Sequence, residues 1–305
     1  NPTPTTLNLT NQTYCNGVNT TEITFTNAVA GTTYTWTNSN TAIGLAASGT
    51  GNIPVFTPTN NGTAPIIATI SVIATANGCS RVAETFTITV NPSPVVTFSP
   101  TNQTICSEDT SAVVTLSSTT PGATFSWTAT QPTGITGVIT SGTNTIPAQN
   151  LVNSTNAPID VNYTAVAATN DTSACAGSSF TYTITVNPAP IMTSANAVTI
   201  CSGQSVNLAL TANIPGSTFT WTVANNNQVG GEAAGSGSTL NNVLTVTSTQ
   251  TVIYTVTPTF SGCIGTPQTV TVTINPGVVP TFNAVGPYCS GAVVPALPTT
   301  STNGI

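Results

Sequence analysis

The sequence predicts an all-β chain built from tandem sandwich domains, and three observations carry that expectation. A seven-residue phrase occurs three times, as GTTYTWT from Gly31 to Thr37, GATFSWT from Gly122 to Thr128 and GSTFTWT from Gly216 to Thr222. Each copy opens on a glycine and then alternates. Tyr34 with Trp36, Phe125 with Trp127 and Phe219 with Trp221 therefore point to one face while Thr or Ser points to the other, the pattern of a strand with one buried side. The landmarks also recur at domain length: the three tryptophans are 91 and 94 residues apart, and the Asn-Pro pairs at Asn91, Asn187 and Asn275 are 96 and 88 apart. A unit of that size holds its own core, unlike a short solenoid repeat. Finally, no segment keeps a helical period, and the abundant β-branched residues disfavour one. Short alternating strands, Gly, Pro and Asn turns and a Trp on the third strand describe an immunoglobulin-like β-sandwich.

Taken in order, the first repeat covers residues 1–90. It is expected to place strand B near Glu22 to Thr26, strand C around Trp36, strand F from Ile66 to Thr75 and strand G from Thr85 to Val90. Phe86, Ile88 and Val90 should face inward. The second repeat, 91–186, closes in the same way with Tyr182, Ile184 and Val186, and the third, 187–275, with Val270, Val272 and Ile274. Residues 276–305 begin a fourth unit too short to close a sandwich. Each Asn-Pro junction follows strand G directly, and proline both fixes its own φ and extends the residue before it. Stiff connectors and a rod of domains stacked end to end, on the order of 100 Å long at about 3.3 Å per residue, are the expectation. The opening Asn1-Pro2-Thr3-Pro4 copies the later junctions, so the sequence reads as a segment of a longer array.

Composition narrows the function. Charged residues make up 3% of the chain, with no lysine or histidine and one arginine, Arg81, while hydrophobic residues reach 39%. A net charge of −6 with one basic side chain cannot neutralise phosphates, which excludes nucleic acid and anionic lipid as electrostatic partners. The most apolar run, Ala64 to Ala76, is interrupted by Pro65, Thr69, Ser71 and Thr75 and is shorter than the roughly 20 residues a membrane helix needs. No membrane span is expected.

Seven cysteines occupy two repeated contexts. Cys15, Cys106, Cys201 and Cys289 precede strand B; Cys79, Cys175 and Cys263 follow strand F. Without histidine or a Cys-x-x-Cys spacing they read as structural disulfides in an oxidising compartment rather than as zinc ligands. Two pairings stay open. One joins Cys15 to Cys79, Cys106 to Cys175 and Cys201 to Cys263 within each repeat, leaving Cys289 over. The other joins neighbours, Cys15 to Cys175 and Cys106 to Cys263, because the two contexts lie at opposite poles of a sandwich while a disulfide needs a Cα separation of about 4.4 to 6.8 Å.

Enzyme chemistry finds little to work with. The usual Ser and Cys triads lack their histidine base. Glu108 and Asp109 are adjacent and diverge in extended chain, Asp160 and Asp171 flank the second strand F, and Glu22, Glu84 and Glu232 are isolated, so no carboxylate pair recurs. Neither a metal site nor a cofactor is expected, since no Asp-x-Asp-x-Asp calcium spacing is present. Trp36, Trp127 and Trp221 read as core rather than as a sugar-stacking platform. Asn8, Asn61 and Asn153 match the glycan acceptor pattern, which is common by chance in a chain this rich in Asn and Thr.

The phrases ICSGQSV from Ile200, TFTWT from Thr218, Gly262-Cys263 and TVTINP from Thr271 resemble PKD-like and immunoglobulin-like repeats of very large surface proteins in gliding Bacteroidota. The tail FNAVGPYCSGAVVPALPTT from Phe282 is similar to repeats of SprB-type gliding-motility adhesins. The resemblance implies export by the type IX secretion system and display at the outer membrane surface. It also implies partners in the gliding and secretion machinery, reached through regions outside this sequence, and adhesion to a substratum or polysaccharide. It carries over no binding residue, because the matches fall on scaffold positions.

Overall fold

The computed structural model describes residues 2–171, 173–277 and 290–291. The chain forms two compact units, Asn1–Asn153 with Ile159–Val186, and Ser154–Pro158 with Asn187–Ile305. The first unit contains two sandwich cores and the second contains one. The start of a fourth repeat and Cys289 lie outside the described residues.

In the first repeat, β1 (Gln12–Cys15), β2 (Thr33–Asn38), β3 (Ser48–Thr50), β4 (Ile66–Ala76), β5 (Cys79–Ser80) and β6 (Glu84–Asn91) make one sheet in the order β1-β6-β4-β2-β3, with β5 beside β4. β1 runs parallel to β6, and the other pairs are antiparallel. Alternation sets the faces as the sequence implies: Ala68, Ile70, Val72, Ala74 and Ala76 of β4 and Phe86, Ile88 and Val90 of β6 are buried. The opposing layer, carrying Leu7, Phe25, Ile43, Leu45 and Ile53, is irregular. Strand B, expected at Glu22 to Thr26, is reduced to a single bridge between Ile23 and Ile53. Side chains take over the ladder here, with Phe25 N donating to Asn52 Oδ1 and Phe56 N to Thr20 Oγ1, both at 3.1 Å. Short polar side chains compete with regular pairing in this way.

The second repeat has β7 (Thr97–Ser99), β8 (Gln103–Cys106), β9 (Val114–Ser117), β10 (Thr124–Ala129), β11 (Ile135–Thr136), β12 (Ser141–Thr143), β13 (Thr145–Ile146), β14 (Val152–Asn153), β15 (Ile159–Ala168) and β16 (Phe180–Asn187). One sheet runs β12-β10-β15-β16-β8; the facing layer is β13-β9-β7 with the pair β11-β14. The third repeat has β17 (Ala197–Cys201), β18 (Leu208–Ala209), β19 (Thr218–Val223), β20 (Gly235–Ser236), β21 (Thr239–Leu240), β22 (Gln250–Phe260), β23 (Cys263–Ile264) and β24 (Gln268–Asn275). Its main sheet runs β17-β24-β22-β19-β20 with β23 beside β22, faced by β18-β21. Tyr182, Ile184, Val186, Val270, Val272 and Ile274 are all buried as the alternation requires.

The tryptophans are core, and a glycine seats each one. Trp36 pairs across the strands with Gly49, Trp127 with Gly142 and Trp221 with Gly235. A Cβ on those glycines would lie 2.2, 2.4 and 2.8 Å from the indole Cζ2, well inside contact distance, so the ring lies flat over the bare backbone of the edge strand.

Buried asparagines latch the sandwich in two repeats. Asn60 Nδ2 donates to the Val90 carbonyl and Asn153 Nδ2, at the end of β14, to the Val186 carbonyl, each at 2.8 Å, tying an earlier segment to the end of the repeat's last strand. Asn153 is thus an internal strut rather than an exposed acceptor.

Candidate functional site at the joint of the first two repeats

The joint grows from the end of β6. Asn91 closes that strand and is 4% exposed, and the chain passes directly into Pro92, Ser93 and Pro94. Cys15, the last residue of β1, lies opposite Asn91, and the Asn16 amide donates to the Asn91 carbonyl at 3.0 Å. From the second repeat comes the turn of residues 170–174, which links β15 to Cys175. Asp171 organises it: Oδ1 accepts the amides of Ser173 at 2.8 Å and Ala174 at 3.1 Å, and Oδ2 accepts Asn91 Nδ2 of the first repeat at 2.9 Å. Such side-chain-capped turns are what Asp favours. Thr169 and Cys175 close the base of the turn, through Thr169 N to the Cys175 carbonyl at 3.0 Å and Cys175 N to Thr169 Oγ1 at 2.9 Å.

Cys15 and Cys175 form a disulfide with a Cα separation of 5.4 Å. The open choice of pairing is therefore decided for these two in favour of neighbours. Within one repeat the partners lie at opposite ends: Cys15 sits beside the Asn91 end of β6, and Cys79 lies beyond its Glu84 end, roughly 23 Å away along the strand. Cys106 and Cys263 each take part in a disulfide as well. The expectation that all seven cysteines are disulfide-bonded needs correction at Cys79 and Cys201, which are free thiols. Cys201 ends β17 opposite Asn275, while Cys263 sits at the far end of β22, so the third repeat separates its two cysteines in the same manner.

A close approach completes the joint, and the sequence reading missed it. A Cβ on Gly177 would fall 1.8 Å from the Pro94 carbonyl oxygen, so only glycine lets the linker run against the second repeat. Gly265 meets the Pro190 carbonyl at the same 1.8 Å in the second unit. The available signal is Cys-x-Gly after strand F, at Cys175 and Cys263. The first repeat has Arg81 there. Its backbone amide donates to the Ala74 carbonyl as Gly177 does to Ala167, while its guanidinium reaches the Pro4 carbonyl, Thr6 Oγ1 and Glu84. The single basic residue is thus a structural strap.

The remaining acids are dispersed. Glu22 accepts from Asn52, Asp160 from Thr185 and Glu232 from the Asn226 amide. Among the described residues no group of three or more His, Cys, Asp or Glu side chains could hold a metal ion. Beside the joint lies an open cleft of about 240 Å³, shaped by Pro65, Pro92 and Pro121 with Asn91 and Asp171. Its one carboxylate already has both oxygens engaged, so the chemistry this region carries is covalent and oxidative: a sulfur bridge between consecutive repeats. No helix among the described residues is long and apolar enough to cross a membrane.

No curated protein sequence matches the chain. Among solved structures it is similar to extracellular domains 3–5 of Drosophila OTK, at 12% identity and a TM-score of 0.33, covering 88% of this chain and 95% of that one. It is also similar to EC22-24 of mouse cadherin-23, at 11% identity and a TM-score of 0.36, covering 89% and 97%. A PKD-like domain model matches residues 103–190 and again 198–278, which is more than half of the sequence. With two successive matches that span the second and third sandwiches, the chain belongs to the PKD-like domain family.

Proposed function

We propose that this chain is a non-catalytic repeat segment of a large extracellular cell-surface adhesin, serving attachment and gliding motility. The observation that carries the reading is the disulfide from Cys15 to Cys175, which staples the first repeat to the PKD-like second repeat. Disulfides form and persist outside the reducing cytosol, and a chain with 3% charged residues suits an inert exported array better than a catalyst. The resemblance to surface repeats of gliding bacteria supports export by the type IX secretion system, association with the outer membrane and a substratum or polysaccharide as the partner. One observation favours a second reading, a pure spacer or filament stalk: the features that recur between repeats, namely Trp, its facing Gly, Cys and Asn-Pro, are packing and linking features. An accessory module of a secreted polysaccharide-degrading enzyme is the third reading.

Beads coated with the purified segment test the first against the second. Retention on agarose or glass above that of uncoated beads, released by soluble polysaccharide, is the expected result. Retention equal to uncoated beads would overturn the adhesin reading in favour of the spacer. Antibody against the segment should also label intact cells, and labelling that requires lysis would overturn the extracellular placement.

A further inference from the structure

We propose that the second repeat carries a glycan-binding groove on the outer face of its main sheet, with Asp160 and Asn162 as the hydrogen-bonding pair and a neutral polysaccharide as the ligand. The proposal deepens the adhesin reading and rests on it for the class of partner. β15 faces outward through Asp160, Asn162 and Thr164, all exposed. Val72, Ala165 and Val256 face the three tryptophans across the strands; counting back five and three residues from each aligns Asp160 and Asn162 with Ile67 and Thr69 in the first repeat and with Thr251 and Ile253 in the third. Those four are strand formers, whereas Asp and Asn are depleted in strands. A local preference broken in one copy of a repeated frame points to use rather than to architecture. Both side chains are held in place. Thr185 Oγ1 donates to Asp160 Oδ1 at 2.7 Å, and Thr183 Oγ1 donates to Asn162 Oδ1 at 2.8 Å. Asp160 Oδ2 is left as a charged acceptor and Asn162 Nδ2 as a donor, on residues about 6.7 Å apart along the strand.

The backbone supplies an independent observation. Just past β2 and β19 the chain makes one more bond to the neighbouring strand, Ser39 N to the Thr69 carbonyl at 3.1 Å and Ala224 N to the Ile253 carbonyl at 3.3 Å. Thr130 and Asn162, at the same places in the second repeat, make no such bond. The chain instead turns away from β15 after Ala129 and runs to Pro132. That departure opens a groove of about 430 Å³, lined by Asp160, Asn162, Thr128, Thr130, Thr164 and Pro132. The size is within the range of ligand clefts. It also leaves the Asn162 carbonyl facing the groove.

These groups match a sugar. Each hydroxyl of a hexose both donates and accepts, so a carboxylate oxygen, an amide NH2, a main-chain carbonyl and three threonine hydroxyls can engage adjacent hydroxyls from one side. Pro132 offers an apolar wall to the C–H face of the ring. Charge decides which sugar. The groove holds one carboxylate and no cationic side chain, and the chain's one basic residue, Arg81, is bonded to Glu84 in the first repeat. Sulfated or uronic polymers would meet repulsion with nothing to offset it. One open main-chain carbonyl is too little for a peptide to add as a strand.

Titration of the full chain with an agarose hexasaccharide, followed by amide NMR, tests the site. The signals of Thr130, Asp160 and Asn162 should shift to saturation, and a sulfated carrageenan hexasaccharide should bind at least about tenfold more weakly. Asp160→Thr with Asn162→Ile installs the pair the third repeat carries, so thermal unfolding should stay at or above the parent's while binding falls at least about tenfold. Asp160→Asn keeps the side-chain shape and should narrow the preference over carrageenan. Undiminished binding by the double variant, an unchanged preference in Asp160→Asn, or no shift at these residues with the agarose hexasaccharide at millimolar concentration would each overturn the proposal. So would equal shifts there from a hexapeptide of alternating Thr and Val. Bead retention separates this site from the reading it rests on. A double variant retained like the parent removes the groove and leaves the adhesin, whereas hexasaccharide binding at the groove by a parent that is not retained removes the adhesin and leaves the groove.

Discussion

In the second repeat Trp127 Nε1 donates to the Thr145 carbonyl at 2.9 Å, and the Tyr163 hydroxyl donates to Gln149 Oε1 at 3.1 Å. In the third, Trp221 Nε1 and the Tyr254 hydroxyl are buried at matching register positions with no hydrogen-bond partner, and so is Glu232 Oε2. For the tyrosine, the loop residue responsible can be named. Gln149 corresponds to Asn242, since each carbonyl accepts the amide five residues beyond the first cysteine of its repeat, Ser111 and Val206. Asn242 is one methylene shorter and gives its Nδ2 to the Gly231 and Ala233 carbonyls instead. Apolar alternation thus builds the same sandwich twice, whereas satisfying the buried tyrosine hydroxyl depends on a single loop side chain and satisfying the indole depends on a backbone carbonyl, that of Thr145. An unpaired buried polar group costs about 1–3 kcal/mol, so the third repeat is the weaker core at equal apolar content.

The largest test is Trp127→Ala. It should cost about 3–5 kcal/mol through cavity formation and more than Trp221→Ala, because it also strands the Thr145 carbonyl. Hydrogen-exchange protection of β15 and β22 reads the two losses separately, and equal losses would break the comparison.

Alkaline pH comes next. Burial, reinforced by the nearby Glu232 carboxylate, pushes the Tyr254 hydroxyl up from 10 to about 12. Below pH 10 both folded and unfolded chains hold this proton and the contribution is complete. Between pH 10 and 12 the unfolded chain releases it while the folded repeat keeps it, so stability falls, by about 2–3 kcal/mol in all. Urea unfolding at pH 9 and pH 12 should show this loss, and Tyr254→Phe should remove it.

Gly142→Ala should cost about 1–3 kcal/mol as the indole is forced off its seat. Gly235→Ala, whose Cβ has 0.4 Å more room by the two distances of 2.4 and 2.8 Å, should cost less. The smallest effect is the sharpest discriminator. Tyr163→Phe should cost about 1 kcal/mol, and Tyr254→Phe should be neutral or stabilising, because it deletes a hydroxyl that bonds to nothing. A matching loss at both tyrosines in thermal unfolding would contradict the assignment of partners.

Strands carrying period-two alternation were legible from sequence: β4 spans Ile66–Ala76 against an expected Ile66 to Thr75, and β6 Glu84–Asn91 against Thr85 to Val90. Strand B of the first repeat was not, since its amides go to Thr20 and Asn52 side chains that no periodicity reveals. The glycine seats escaped because they stand 13, 15 and 14 residues after their tryptophans, a spacing that drifts with loop length. The joint was half legible. Recurring cysteines flagged it, but choosing between partners required knowing which ends of β6 face which repeat. The contribution of Asp171 was hidden in a turn three residues longer than Asn77-Gly78 or Ser261-Gly262, the two-residue turns at the same place in the first and third repeats.

The bridge from Cys15 to Cys175 joins residues 160 apart in sequence, so nearly all of the first two repeats lies inside one covalent loop. Tension drawn through the polypeptide would pass across the sulfur atoms and leave that loop slack. Even with both sandwiches melted, about 550 Å of chain would be withheld from extension, and only a reductant could pay it out.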